Sequence, residues 1–211
     1  MEKIELLSFF VHRWDSILNL TWEHFLLVLV AMTISVIIGI VVGILITFHA
    51  RTAQVVLNIT GVFMTIPSLA LFALMIPIFH IGFLPAVIGL VLYTQLPIVR
   101  NVYTGIINID PAIIESARGM GMPPGRIMFK IKLPLAFPVI LAGIRTAVIM
   151  GVGMGAIAAY IGAGGLGDLI FQGISRTNDK MILTGAIMVS LLTVITDRIL
   201  SIFQKRTEIE Q

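Results

Sequence analysis

Long runs without a single Asp, Glu, Lys or Arg alternate along this chain with short polar breaks. The first run, Phe25–Phe48, holds roughly 24 residues, enough at about 1.5 Å per residue to cross a hydrocarbon core of about 30 Å. The second, Thr52–Val99, is about two spans long. At its centre is "IPIFHIGFLP", which predicts a hairpin turning near His80 and Gly82. A fourth span is expected over approximately Pro138–Ile161 and a fifth over approximately Met181–Leu200, with no sixth.

Composition agrees with this pattern. Of 211 residues, 58% are hydrophobic and 12% charged, whereas soluble domains are about a quarter charged. The chain therefore reads as an all-α integral membrane protein of five transmembrane helices. The absence of cysteine excludes disulfides, thiol catalysis and Cys-based metal sites. His12, His24, His49 and His80 are scattered and match no metal-ligand spacing.

The basic balance, a net charge of +3 and a pI near 9.5, marks topology rather than nucleic acid. With the N-terminus outside, Arg51, Arg100, Arg118, Arg126, Lys130, Lys132, Arg198, Lys205 and Arg206 fall inside. Lys3, Arg13, Arg176 and Lys180 fall outside, so the positive-inside bias favours N-out, C-in. Glu2, Glu5, His12, Arg13 and Asp15 interrupt any signal-peptide core. Met1–Asn19 is expected to lie on the outer face as an interfacial helix, with Trp14 and Trp22 at headgroup level. The resulting division is an outer segment over 1–20, a transmembrane domain over 21–204 and a cytoplasmic tail over 205–211.

One polar stretch is long enough to carry function: the loop over 108–134, which contains "ESARGMGMPPGRIMFKIKLP". It opens as a helix, with Asp110 at the N-cap, Pro111 at the first helical position and "AIIESAR" following. Gly119 or Gly121 supplies the stop, and "MPPG" prevents continuation. Such a helix has about two to three turns, below the roughly 12 residues an isolated helix needs in water. It holds its shape only by docking, which suits a contact for a soluble partner.

Counting from Glu115, a glycine follows at Gly121, an isoleucine at Ile131 and Leu-Pro at Leu133–Pro134. This spacing resembles the EAA loop of ABC-importer permeases, with Ser116 standing for the first alanine and Ala117 for the second. The five spans resemble the minimal type I permease fold. The resemblance implies that Asp110–Gly119 is a coupling helix seated in a groove of a separate cytoplasmic ATPase. Glu115 would sit at that contact and Gly121 would allow the bend after it. Arg118 would either pair with an acid of the ATPase or mark the inner side. The chain has no G-x-x-x-x-G-K-[ST]. It is thus expected to hold no cofactor, ATP and Mg belonging to the partner ATPase, and not to be an enzyme. Two ATPase subunits, a second permease copy or paralogue and an extracytoplasmic binding protein are the implied partners, in a bacterial inner membrane.

For the pathway, Pro67 removes a backbone donor within the second span, and Pro77 acts near its outer end. Gly151, Gly153 and Gly155 in the fourth span are spaced for close helix packing. A second reading has Met64, Thr65, Pro67 and Ser68 facing those glycines to form the constriction. Arg145, alone among the cations embedded in a span, is expected to snorkel to the inner interface, as are Asp197 and Arg198. "GAGGLGDLIFQGISRTND" is expected to be a flexible outer turn leading to a short apolar helix over the pathway mouth.

"TIPSLALFALMIPIF", "LPIVRNVYTGI" and "AAYIGAGGLGDLIFQGI" resemble the glycine betaine/carnitine/choline/proline permeases of osmoprotectant importers. The methionine-type amino-acid importers share the coupling loop and are the alternative. Tyr93, Tyr103 and Tyr160 lie far apart and form no aromatic cage, so selectivity is expected to reside in the binding protein. A non-ABC channel leaves the cytoplasmic segment unexplained. An intramembrane hydrolase lacks a base for Ser35, Ser68 or Ser190.

Overall fold

A computed structural model describes residues 8–209, and they are helical almost throughout. After a helical turn over 8–12 and a break at Arg13, α1 (Trp14–Ile46) runs for 33 residues, or about 50 Å. That exceeds a hydrocarbon core of about 30 Å. The remaining elements are α2 (Ala50–Thr65), α3 (Ser68–Phe79), α4 (Phe83–Ile107), α5 (Pro111–Gly119), α6 (Pro124–Ile127), α7 (Leu133–Ala158), α8 (Gly167–Ser175) and α9 (Asp179–Ile209).

The expected second span is not one rod. α2 and α3 meet at an angle of 98°. Pro67 has no N–H to continue α2 and biases Ile66 to an extended conformation, observed at ψ 129°. At 16 and 12 residues, each arm falls short of about 30 Å alone. Among the described residues, four helices are long and apolar enough to cross a membrane, and the bent pair makes a fifth span if counted as one. The hairpin beyond α3 turns where the sequence places it. His80 at φ 64° and Gly82 at φ 124° take the left-handed backbone, and the Gly82 N–H donates to Ile161 O at 2.8 Å.

The other differences lie at the span ends. Trp14–Asn19 continue into α1 without a break instead of forming a separate interfacial helix. Ile17 is fully buried against Leu166, Leu169 and Met181. Met1–Leu7 lie outside the described residues. The fourth span starts well before Pro138, because α6, a π-helical turn over Met128–Lys132 and α7 form one helical run. The tail expected from residue 205 begins inside α9, which continues to Ile209.

α4 is the hub, packed against α1, α2, α3 and α7. Leu27 and Ala31 of α1 meet Leu90, Ile98 and Val102 of α4 and Ile140 and Ala147 of α7 in one apolar core. In lipid this core gains little from hydrophobic burial, and close approach of small residues matters more. A Cβ on Gly39 would come within 2.5 Å of Ile98 Cγ2, and one on Gly43 within 2.5 Å of Val102 Cβ. The glycines of "GIVVG" therefore bring α1 onto α4, a small-xxx-small spacing visible in the sequence. Where the two helices touch, Ser35 Oγ and Thr94 Oγ1 lie 2.8 Å apart. Gln95 Nε2 donates to Ser35 Oγ at 2.9 Å. A satisfied polar cluster of this kind fixes helix register.

The coupling helix and the candidate pathway

Asp110, Pro111 and Gly119 fall where the sequence places them. Asp110 Oδ1 accepts the Ala112 N–H at 2.8 Å, and Pro111 opens α5. The two glycines divide the stop between them. Gly119 is the last helical residue, whereas Gly121 takes φ 76° beyond it. The Gly121 N–H donates to Arg118 O at 2.9 Å and the Met122 N–H to Ala117 O at 3.1 Å, the paired closure of a Schellman cap. Ser116 Oγ donates to Ala112 O at 2.8 Å, within the helix.

Only Ala117 of α5 is buried. Glu115, Ser116 and Arg118 are exposed, and neither charged side chain forms an ion pair among the described residues. The helix is thus a capped rod that is exposed along most of its length. A cavity of about 290 Å³ lies at its foot, bordered by Thr104, Asn108, Asp110, Ile113, Leu135 and Val139.

Ile131, Leu133 and Pro134 are not in a loop as expected. They lie in the helical run that leads into the fourth span. The π turn explains how that run tolerates Pro134. A proline ring clashes with the carbonyl four residues back. Just before it, the Leu133 N–H reaches back five residues to Met128 O, which widens the helix at that point. Ile131 and Leu133 are half-buried, and Leu133 packs against the core.

Within this chain, Met64, Thr65, Pro67 and Ser68 are not among the nearest neighbours of Gly151, Gly153 or Gly155. A Cβ on Gly151 would lie 3.0 Å from Met32, and one on Gly155 3.1 Å from His24, so both glycines pack against α1. Gly153 is exposed, with no heavy atom within 4 Å of a Cβ position. Met64 and Thr65 instead border a groove between α2 and α4. Pro67 is exposed and Ser68 half-buried at the 98° bend.

Several polar side chains have roles that sequence reasoning missed. His24 is fully buried and its Nε2–H donates to Val152 O at 3.0 Å, tying α1 to the glycine stretch of α7. Its Nδ1 has no hydrogen-bond partner among the described residues. Arg145 does not simply snorkel: its Nε donates to Asp197 Oδ1 at 2.5 Å, so Asp197 is a partner as well. The glycine-rich turn after α7 is closely packed. Glu23 Oε2 accepts the Gly165 N–H at 3.1 Å. A Cβ on Gly167 would lie 2.0 Å from Ala156 O. α8 follows as a short helix and packs on α9. Burial, followed by the charge of Glu23, pushes the Asp168 carboxyl above its ordinary range. Among the described residues, no group of three or more His, Cys, Asp or Glu could hold a metal ion.

The family described as "Binding-protein-dependent transport system inner membrane component" matches residues 35–209. The osmoprotectant import permease protein OsmW of Salmonella typhimurium is 46% identical over 187 residues, 86% of this chain and 87% of that protein. The choline transport system permease protein OpuBB of Bacillus subtilis is 36% identical over 201 residues, 95% of this chain and 93% of that one. Among solved structures, an inward-facing MetNI methionine ABC transporter superposes with a TM-score of 0.82 at 26% identity. The match covers 90% of this chain and 95% of that one. The family match over residues 35–209 and these relatives, on a bundle of apolar helices matched along nearly its whole length, make this chain a member of the inner-membrane permease family of binding-protein-dependent ABC importers.

Proposed function

We propose that this permease carries a small quaternary-ammonium osmoprotectant such as glycine betaine, carnitine or choline into the cell. The single observation behind the solute class is sequence likeness. Relatives named for osmoprotectants, choline and carnitine are 36–46% identical, against 26% for the methionine importer of the same fold. Such solutes cannot cross hydrocarbon unaided, because their charges are costly there. The methionine-type reading is the alternative, supported by the fold match alone.

The exposed face of α5 is the handle in this proposal. Glu115 and Arg118 contact a separate ATPase, Asp110 and Gly121 hold the rod rigid, and ATP with its Mg is bound by that partner. Closure of two ATPase subunits rocks the spans of this chain and of a second permease copy or paralogue. The N-terminus lies outside and the α5 end inside, where a binding protein could not reach it. Ile131, Leu133 and Pro134 join the rod's foot to α7, so a push on α5 is delivered to a transmembrane helix.

Reconstitution with the neighbouring ATPase and binding protein tests the assignment. Glycine betaine, carnitine or choline should stimulate ATP hydrolysis. Stimulation by methionine alone would replace the osmoprotectant reading with the amino-acid one.

A further inference from the structure

The bend at Ile66–Pro67 exposes irregular backbone within a stretch apolar enough to span a membrane. Backbone of that kind is tolerated at membrane depth only where it is buried in protein or lines a water-filled cavity. On the α2 side of the bend lies a groove of about 610 Å³, bordered by Asn58, Gly61, Met64, Thr65, Leu96 and Arg100. The groove is open along one side rather than enclosed. Gly61 keeps one wall open, since nothing lies within 4 Å of a Cβ position there.

Three polar side chains border this groove. Thr65 Oγ1 donates to Val62 O at 2.8 Å, which leaves its lone pairs available to accept. The Asn58 amide and the Arg100 guanidinium form no side-chain hydrogen bond or ion pair among the described residues. Arg100 stands within the span helix α4, seven positions before its last residue, Ile107. Arg100 is exposed on this groove. Its planar fork matches a carboxylate, with two N–H groups donating in parallel. Asn58 adds N–H donors, while Met64 and Leu96 offer the soft apolar surface that a quaternary ammonium, having no N–H, can lie against.

We propose that this groove is the cargo passage on the α5 side of the membrane, and that Arg100, assisted by Asn58, binds the carboxylate of a zwitterionic solute. The inference rests on the osmoprotectant reading and divides that class. Glycine betaine and carnitine carry a carboxylate, and choline does not.

The test uses the full importer with one binding protein throughout, so that differences arise in the permease. R100Q should lower glycine betaine uptake into proteoliposomes by about tenfold or more. Choline uptake should stay within about twofold, the carboxylate contact being absent. R100K, which keeps the charge without the fork, should fall between. Equal loss of both solutes, undiminished glycine betaine uptake, or a wild type that carries choline alone would overturn the carboxylate site. A wild type that carries neither solute would remove the osmoprotectant reading and this inference with it. Should R100Q fail to assemble, the chain's lack of cysteine allows a second measurement with Arg100 intact. In nanodiscs, glycine betaine should slow thiol labelling of T65C more than choline does. Labelling that ignores glycine betaine, or that follows anionic lipid content instead, would overturn the proposal in favour of a lipid-facing Arg100.

Discussion

Arg145 of α7 donates through Nε to Asp197 Oδ1 of α9 at 2.5 Å, and Gln204 Oε1 lies 3.4 Å from the same guanidinium. Little of α9 is buried within the chain, so few contacts hold this helix besides its packing on α7 and α8. Removing one partner leaves the other charge in a span, whereas removing both does not. R145Q and D197N should each lower the melting temperature of the purified permease, and R145Q/D197N should recover part of the loss. Both side chains are only about one-third exposed, 32% and 29%. A double variant whose loss equals the sum of the single losses would show that the two residues are not coupled.

Gly121 and Gly119 should separate cleanly. At φ 76°, Gly121 closes the cap of α5, and an L residue there costs on the order of 1 kcal/mol. Gly119 is helical and has nothing within 4 Å of a Cβ position, so alanine should favour the helix. Because only Ala117 of α5 is buried, G121A should lower the melting temperature only slightly. It should instead weaken solute-stimulated ATP hydrolysis several-fold, while G119A retains it. E115Q should behave like G121A, with assembly of the spans intact. Full activity in G121A and E115Q would refute the coupling role of α5.

The same helix shows what a sequence alone can carry. Its caps are local, set within about a dozen residues, so Asp110 and Pro111 were legible to the residue and the stop to one of two glycines, Gly119 or Gly121. The hairpin at His80–Gly82 was legible for the same reason. Pro67 announced a break in the second span, but not a 98° turn, because the angle depends on how both arms seat on α4. "MPPG" read as a helix breaker although Pro124 opens α6, since proline is equally at home at a first helical position. The pairing of Arg145 with Asp197 joins residues 52 positions apart and follows only from the packing of α7 on α9.

Asp168 gives the outer turn a pH dependence of defined sign. Burial, and then the charge of Glu23, raise its folded pKa above the ordinary 3.8, which the unfolded chain retains. The folded state therefore binds more protons than the unfolded state between those two values, and stability rises as pH falls through that window. Above the folded value, the ionised carboxylate carries its full cost; below 3.8 the cost is gone. D168N should be more stable than the wild type at neutral pH, with the difference shrinking as the pH is lowered towards 3.8. Thermal melts over that range would decide it, and a difference that grows on acidification would contradict the assignment.

Gly167 and Gly153 sit at opposite extremes of crowding on the same glycine-rich stretch. A Cβ on Gly167 would lie 2.0 Å from Ala156 O and 2.6 Å from Ala159 Cβ, and backbone cannot swing aside as a long side chain would. G167A should therefore cost about 1–3 kcal/mol through overpacking and lower the melting temperature by several degrees. G153A meets no neighbour within the chain and adds helix propensity of up to about 1 kcal/mol, so its melting temperature should hold or rise. Uptake then becomes informative. Loss of transport in G153A without loss of stability would place Gly153 against a moving solute or a neighbouring subunit. Loss of stability in G153A, or its absence in G167A, would show that the packing around this turn differs from the one described.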